Sequence, residues 1–355
     1  RAAGPAPAAP GPRDLVVGLA KEIDVKYLAV FAASLRVHAA DAHLALFVDA
    51  PAVDAPLRAL AATYRAELVE YDPAALEPPR LRSFHPSTFR WPLIAGYLRA
   101  RAADGYRGVL FADVRDTAFQ ADPFAAILDG RGPAFYAFHG VESRTIGECG
   151  WNGGWIKDCF GEKKRQKLAK KPIVCSGVSI ATFSEAQAYA DQMSAIVSDA
   201  AFASCERNGV DQGVHNVLLH EDRVAGARLV PQRDALVANL QAKVARVGAD
   251  GVVTTPGGRR VAVVHQYDRF PNLAARYYEA YAADLPGAVP DAAACEGFEL
   301  RDDVDAFKGK CDLAISGGAH PADCCAKCEK TPRCGGWTLA GSVCYLKTCD
   351  KFATA

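Results

Sequence analysis

Two carboxylates close a strongly apolar run: in GYRGVLFADVRD (105–116), Asp113 and Asp116 stand three residues apart with Arg115 between them. Oxygen ligands on one short segment suit a hard divalent cation such as Mn2+ or Mg2+, which keeps positions open for the oxygens of a diphosphate. The plain alternative is a strand end whose acids cap the next turn. A second apolar run, VAVVHQYD (261–268), leads straight into His265. Neutral imidazole ligates such metals, and one emerging at a strand end can reach an ion held by a distant acid pair; a histidine alone serves equally as a core or surface residue. IVCSGVSIAT (173–182) carries Ser176-Gly177 inside an apolar run, where glycine marks either a bulge or a close approach of backbone to ligand. Asp211-Gln212-Gly213 opens the helical stretch VHNVLLH, so Asp211 either caps that helix or contacts a ligand.

These groups need elements to carry them. With 355 residues, half of them apolar, the chain can bury one large core and has room for a second, smaller domain. From Asp14 onward short apolar runs alternate with helical stretches, the pattern of an α/β domain with a largely parallel sheet. Strands are expected at 15–20, 43–50, 67–72 and 105–116, with helices at 26–39, 56–66 and 90–102. Further strands are expected at 133–138, 173–182, 251–255 and 259–268, and helices at 162–171 (basic) and 184–199 (amphipathic). A buried strand that delivers charge at its C-terminal end is where open α/β sheets bind ligands. That places function at Asp113. The first thirteen residues, all Ala, Pro, Gly and Arg, read as a solvated stem. A Pro/Ala-rich linker follows about residue 285, separating a domain at 14–285 from one at 293–355.

Cysteine usage and charge bound the setting. Of 12 cysteines, eight crowd between Cys295 and Cys349, the density of a disulfide scaffold with too few apolar residues to stand unaided. Zinc is the alternative at Cys325-Ala-Lys-Cys328, but no second CxxC or His pair follows at finger spacing. Disulfides imply an oxidising compartment. Basic and acidic residues number 41 each, so no net field draws nucleic acid or an anionic membrane. No apolar run of about 18 residues occurs, and membrane attachment is expected only through a segment preceding Arg1.

The order of these pieces resembles the GT-A-fold glycosyltransferases: an apolar strand ending in a DxD-type acid motif (ADVRD, followed by FQADPF), then an SG(V/I) strand, a DQ pair and a late His on a strand. The resemblance covers about residues 14–280 and implies a mixed α/β sheet flanked by helices. It also implies a nucleoside-diphosphate-sugar donor, UDP favoured, and Mn2+ or Mg2+ held by Asp113, Asp116 and His265. By the same resemblance the Ser176-Gly177 backbone and the Asp211-Gln212 pair face the sugar or acceptor. Arg90, in FRWPL, resembles a position that approaches the nucleotide, and Arg115 is placed so that it could neutralise phosphate charge beside the metal. DVRD separates its acids by two residues where the strict motif has one. The DQ pair is similar to that of retaining members.

The acceptor implied is a glycan or glycoprotein, and the location the Golgi or endoplasmic reticulum lumen, with an anchored full-length form or a secreted one. WNGGW (151–155), between Cys149 and Cys159, suits a loop that stacks on sugar rings or closes over the donor, or else a disulfide-closed surface loop. The C-terminal run ADCCAKCEK…RCGGWTL…VCYLK is similar to a PAN/Apple domain, implying a Cys328–Cys334 bridge and a bridge from Cys324 or Cys325 to Cys344. Two other classes fit parts of the pattern: a secreted carbohydrate- or protein-binding protein with a non-catalytic α/β domain, and a metal-dependent hydrolase, for which neither paired histidines nor a nucleophile elbow is present.

Overall fold

A computed structural model describes residues 14–128, 132–282, 304–305, 312–317, 321–340, 343–348 and 353–354. The stem at 1–13 and the linker expected after 285 lie outside these residues. By its contacts the chain falls into two units, one of residues up to 248 with 252–265, the other of 249–251 with 266 onward.

The first unit is built on seven strands: β1 (Asp14–Leu19), β2 (His43–Asp49), β3 (Ala66–Tyr71), β4 (Gly108–Ala112), and, after the short β5 (Thr117–Phe119), β6 (Phe135–His139), β7 (Val174–Thr182) and β8 (Ala227–Val230). Leaving β5 aside, these order as β3-β2-β1-β4-β7-β6-β8. β1, β2, β3 and β4 run parallel to one another, and β6 runs parallel to β8. β7 is antiparallel to both β4 and β6, so the sheet is mixed where a largely parallel one was expected. The difference lies in the strand carrying Ser176-Gly177, which enters between two others and reverses direction there. β1 and β4 are buried along nearly their whole length, as strands covered on both faces must be.

Helices α1 (Val25–His38), α2 (Ala55–Thr63), α3 (Pro86–Ala100), α4 (Pro123–Ile127), α5 (Gly150–Phe160), α6 (Glu162–Leu168), α7 (Phe183–Val197) and α8 (Val210–His220) flank the strands. Leu15, Val17 and Leu19, alternate residues of β1, pack with Trp91 and Ile94 of α3, Tyr189 and Met193 of α7 and Val214 and Leu218 of α8. Aromatic edges lock this layer, with Trp91 and Tyr189 at 5.3 Å and Phe135 and Tyr189 at 4.5 Å between centroids. α1 instead sets Phe31 against Phe119 of β5 at 5.2 Å.

β5 belongs to a second, three-stranded sheet, with β9 (Val237–Asn239) and β12 (Val263–His265) in the order β5-β12-β9. Between them β10 (Arg246–Val247) and β11 (Val253–Thr254) form a small hairpin. The strand expected at 259–268 therefore narrows to three residues, those with partners on both sides.

WNGGW is helical, the first half of α5, and not a loop. Its Gly153 and Asn152 are buried and Ile156 packs with Ile146, Leu168, Ile173 and Val217, so tertiary packing overrides the poor helix propensity of glycine. Cys159 pairs with Cys205, not with Cys149, which is free and buried. The basic helix α6 spends its charge locally: Arg165 pairs with Glu162, and Lys164 and Lys167 share Glu221.

In the second unit α9 (Pro271–Tyr281) is followed by β13 (Val304–Asp305), β14 (Asp312–Gly317), α10 (Pro321–Lys330), β15 (Gly336–Ala340), β16 (Val343–Lys347) and β17 (Ala353–Thr354). β14-β16-β15 form an antiparallel sheet, and Cys324 and Cys328 of α10 cluster with Leu346, Cys334 and Trp337. The unit is thus a short helix on a small antiparallel sheet. Cys328 bonds Cys334, and Cys324 and Cys325 are also in disulfides; the Cys344 side chain lies outside the described residues.

Candidate metal and substrate site

The four residues Asp113–Asp116 are the whole link between β4 of the large sheet and β5 of the small one. Antiparallel pairing then sets His265 opposite Thr117, the neighbour of Asp116. Residues far apart in sequence thereby meet: His265 Nε2 stands 3.5 Å from Asp116 Oδ1 and 3.7 Å from Asp113 Oδ2. Among the described residues these three form a cluster able to offer one ligand atom each within 4.8 Å of one another. Ligands of Mn2+ or Mg2+ with bonds of about 2.1 Å lie about 3 to 4 Å apart, so the spacing and the donor types fit such an ion.

The backbone makes room for this cluster. On β7 the pairing with β6 shifts between Ala137 and Phe138, bulging the strand at Ser176-Gly177-Val178. The Gly177 carbonyl accepts from the Asp113 N–H at 2.7 Å. A Cβ on Gly177 would lie 2.2 Å from His265 Cε1, 2.5 Å from Nε2 and 2.8 Å from Asp113 Oδ2. Only glycine fits, so both sequence readings of this residue hold together: a bulge that is also a close approach.

Charge is arranged in a row that runs from buried Asp211 and Arg90 to the partly exposed Asp113. The Arg90 guanidinium of α3 bonds Asp113 through Nη1 and Asp211 Oδ2 through Nη2, the latter at 2.9 Å. Burial opposes ionisation of Asp113, but Arg90 and His265 beside it bring its pKa down to about 2. At Asp211 burial wins, aided by Asp113, and its pKa is raised despite Arg90. His265 is buried, which disfavours its charge, yet Asp116 first and then Cys175 and Asp113 hold it well above the usual imidazole range.

Each sequence-predicted residue has a place. Asp113, Asp116, His265 and Gly177 converge. Arg90 joins them by clasping Asp113. Asp211 lies within α8, whose N-cap is Gly209, so it does not cap the helix but answers Arg90. Gln212 spans two elements: its Oε1 accepts from the Ser176 N–H at 3.4 Å, and its Nε2 donates to Asn152 Oδ1 of α5 at 2.9 Å. Arg115 points elsewhere, its guanidinium 5.6 Å from the Tyr27 ring at the start of α1.

Three amides escaped the sequence reading: Asn152, Asn239 and Gln232. Asn239 Oδ1 stands 2.7 Å from His265 Nδ1. The available signal was an amide ending the apolar run LVAN (236–239), visible only once β9 and β12 are known to pair.

No protein-family model matches the chain, and no curated protein does. Among solved structures it is similar to the galactosyltransferase LgtC in complex with donor and acceptor sugar analogues, at 16% identity and TM-score 0.46, covering 77% of this chain and 98% of that one. An active-site mutant of LgtC matches at the same identity and TM-score over 75% and 94%. Core-mannan synthase A from Aspergillus fumigatus, in its Mn/GDP form, matches at 12% identity and TM-score 0.42, over 65% of this chain and 75% of that one. At these values nothing of their donors, metals or acceptors transfers to this chain.

Proposed function

We propose that this chain is a metal-dependent glycosyltransferase of GT-A type, acting in the secretory lumen. It would move a sugar from a nucleoside-diphosphate sugar, UDP-sugar favoured, to a glycan or glycoprotein. The observation that carries the reading is the Asp113, Asp116 and His265 cluster at the junction of two sheets, with Gly177 pared to a bare backbone beside it. A cation bound by these three would serve as Lewis acid to a diphosphate leaving group.

The chain's own residues supply the rest. Arg90 fixes Asp113 in its ionised form, so an oxygen ligand is ready without proton loss. Asp211 is spent on Arg90, so Gln212, whose amide has a further hydrogen and lone pair beyond those it uses, is the member of the DQ pair that would meet the sugar. Tied between the Ser176 backbone and Asn152, its amide is held rigidly, and its neutrality suits a retaining reaction in which the donor phosphate assists from the same face. Trp151, 67% exposed on α5 and 6.0 Å from Trp155, offers an aromatic face to an acceptor ring. The disulfide-stapled C-terminal unit suits a PAN/Apple-like module that engages the acceptor.

The test is donor hydrolysis and transfer with and without EDTA, in the parent and in Asp113→Ala. Loss under both treatments is expected; activity indifferent to both would sink the reading. A thermal-shift screen of nucleotide sugars with Mn2+ identifies the donor, since a ligand at 100 times its Kd stabilises by about 2.7 kcal/mol.

A further inference from the structure

We infer that Asn239 is the positioning residue that makes His265 a metal ligand, by holding a hydrogen on Nδ1 so that the nitrogen a metal takes over is Nε2, on the side of Asp113 and Asp116; this rests on the metal-dependent reading above. An imidazole alone does not select which nitrogen carries hydrogen; its partners do. Here the partners leave one choice. Asn239 Nδ2 lies 2.9 Å from the His139 carbonyl, and a carbonyl only accepts, so the amide nitrogen must face it. The Asn239 oxygen is thereby turned to His265 Nδ1 at 2.7 Å. That oxygen also only accepts, so Nδ1 carries the hydrogen. The Cys175 sulfur, at 3.8 Å from Nδ1, is the more distant neighbour.

The amide cannot rotate to relieve a wrong tautomer. Gln232 Oε1 accepts from the Asn239 backbone N–H at 2.8 Å, and Gln232 Nε2 donates to the same His139 carbonyl at 2.6 Å. The Gln232 backbone N–H in turn donates to Glu142 Oε1 at 2.7 Å. Asn239 and His265 are register partners in parallel strands, and each is only 2% exposed. The opposite tautomer would set a bare ring nitrogen against a bare amide oxygen with no water to separate them, a cost no buried site avoids.

Isothermal titration of Mn2+ into the parent, Asn239→Leu and Asn239→Asp tests this. Leucine keeps the volume but cannot accept, and should weaken Mn2+ by about 10- to 100-fold, the usual cost of losing such a partner. Aspartate still accepts from Nδ1 and should bind at least as tightly as the parent. In parallel, long-range 1H–15N spectra of the Mg2+-loaded parent should place the His265 proton on Nδ1, a readout that does not need the leucine variant to fold. A folded Asn239→Leu that binds Mn2+ like the parent, or a proton found on Nε2, overturns the inference. If Asn239→Leu binds Mn2+ like the parent while Asp113→Ala abolishes binding, the metal reading stands and the role of Asn239 falls; a parent that binds no Mn2+ overturns both.

Discussion

Arg90 and Asp211 meet in the interior, Nη2 to Oδ2 at 2.9 Å, with side-chain exposures of 10% and 3%. The pair ties α3 to α8 directly beneath the acid motif, because the other guanidinium nitrogen is bonded to Asp113. Replacing Arg90 by leucine would strand the Asp211 carboxylate without a counter-charge, which costs about 3–5 kcal/mol for a buried partner. Urea unfolding at neutral pH checks this. The double variant Arg90→Leu with Asp211→Leu should recover a large part of the loss, since it removes the stranded charge as well. A single variant as stable as the parent would show that water reaches Asp211.

Trp151 makes the opposite case. With its ring mostly in solvent, Trp151→Ala should change stability by less than about 0.5 kcal/mol, while raising the acceptor KM several-fold and leaving the donor KM alone. Its neighbour Trp155 is different: a Cβ on Gly209 would lie 2.7 Å from Trp155 Cζ2 and 3.0 Å from Cη2, so this indole fills a space the glycine leaves. Trp155→Ala should therefore lower the melting temperature as well. Initial rates over a matrix of donor and acceptor concentrations, beside melting curves, separate the two tryptophans.

His215 sets an acid limit. Burial, with His220 and Arg90 adding repulsion, holds its pKa down to about 3, and the Tyr189 hydroxyl stands 2.7 Å from its Nδ1. In the unfolded chain the same imidazole takes a proton below about pH 6.5. Between those values the unfolded state binds the extra proton, so the contribution of His215 is complete above about pH 6.5 and is lost as pH falls toward 3. Unfolding free energies of the parent and His215→Gln, followed from pH 6.5 to 4, should diverge in slope by about 1.4 kcal/mol per pH unit. Parallel slopes would mean that His215 is protonated in the folded state.

The apolar runs that became β1, β2 and β4, and the acids at the end of β4, were legible because a strand buried on both faces must be written in apolar residues, whatever its surroundings. The reversed direction of β7 was not, since parallel and antiparallel central strands share that composition. His265 could be singled out, but its company could not: Asn239 becomes its partner only through the register of two three-residue strands. WNGGW misled because glycine argues for a loop, whereas the packing of Gly153 and Ile156 against the neighbouring core decides for a helix. The resemblance implies a nucleotide role for Arg90; the contacts that only the structure shows are its bonds to Asp113 and Asp211.

The link Asp113–Asp116 belongs to two sheets at once, so the cluster is complete only when both are formed. The large sheet can deliver the two acids on its own, but the imidazole arrives only when β12, near the end of this unit, has docked between β5 and β9. On the metal-dependent reading, a nascent or partly unfolded chain would present an incomplete set of ligands, and tight retention of a divalent ion would be a property of the finished molecule. Metal affinity would then double as a gauge of maturation, reporting that the last strand of the unit is home.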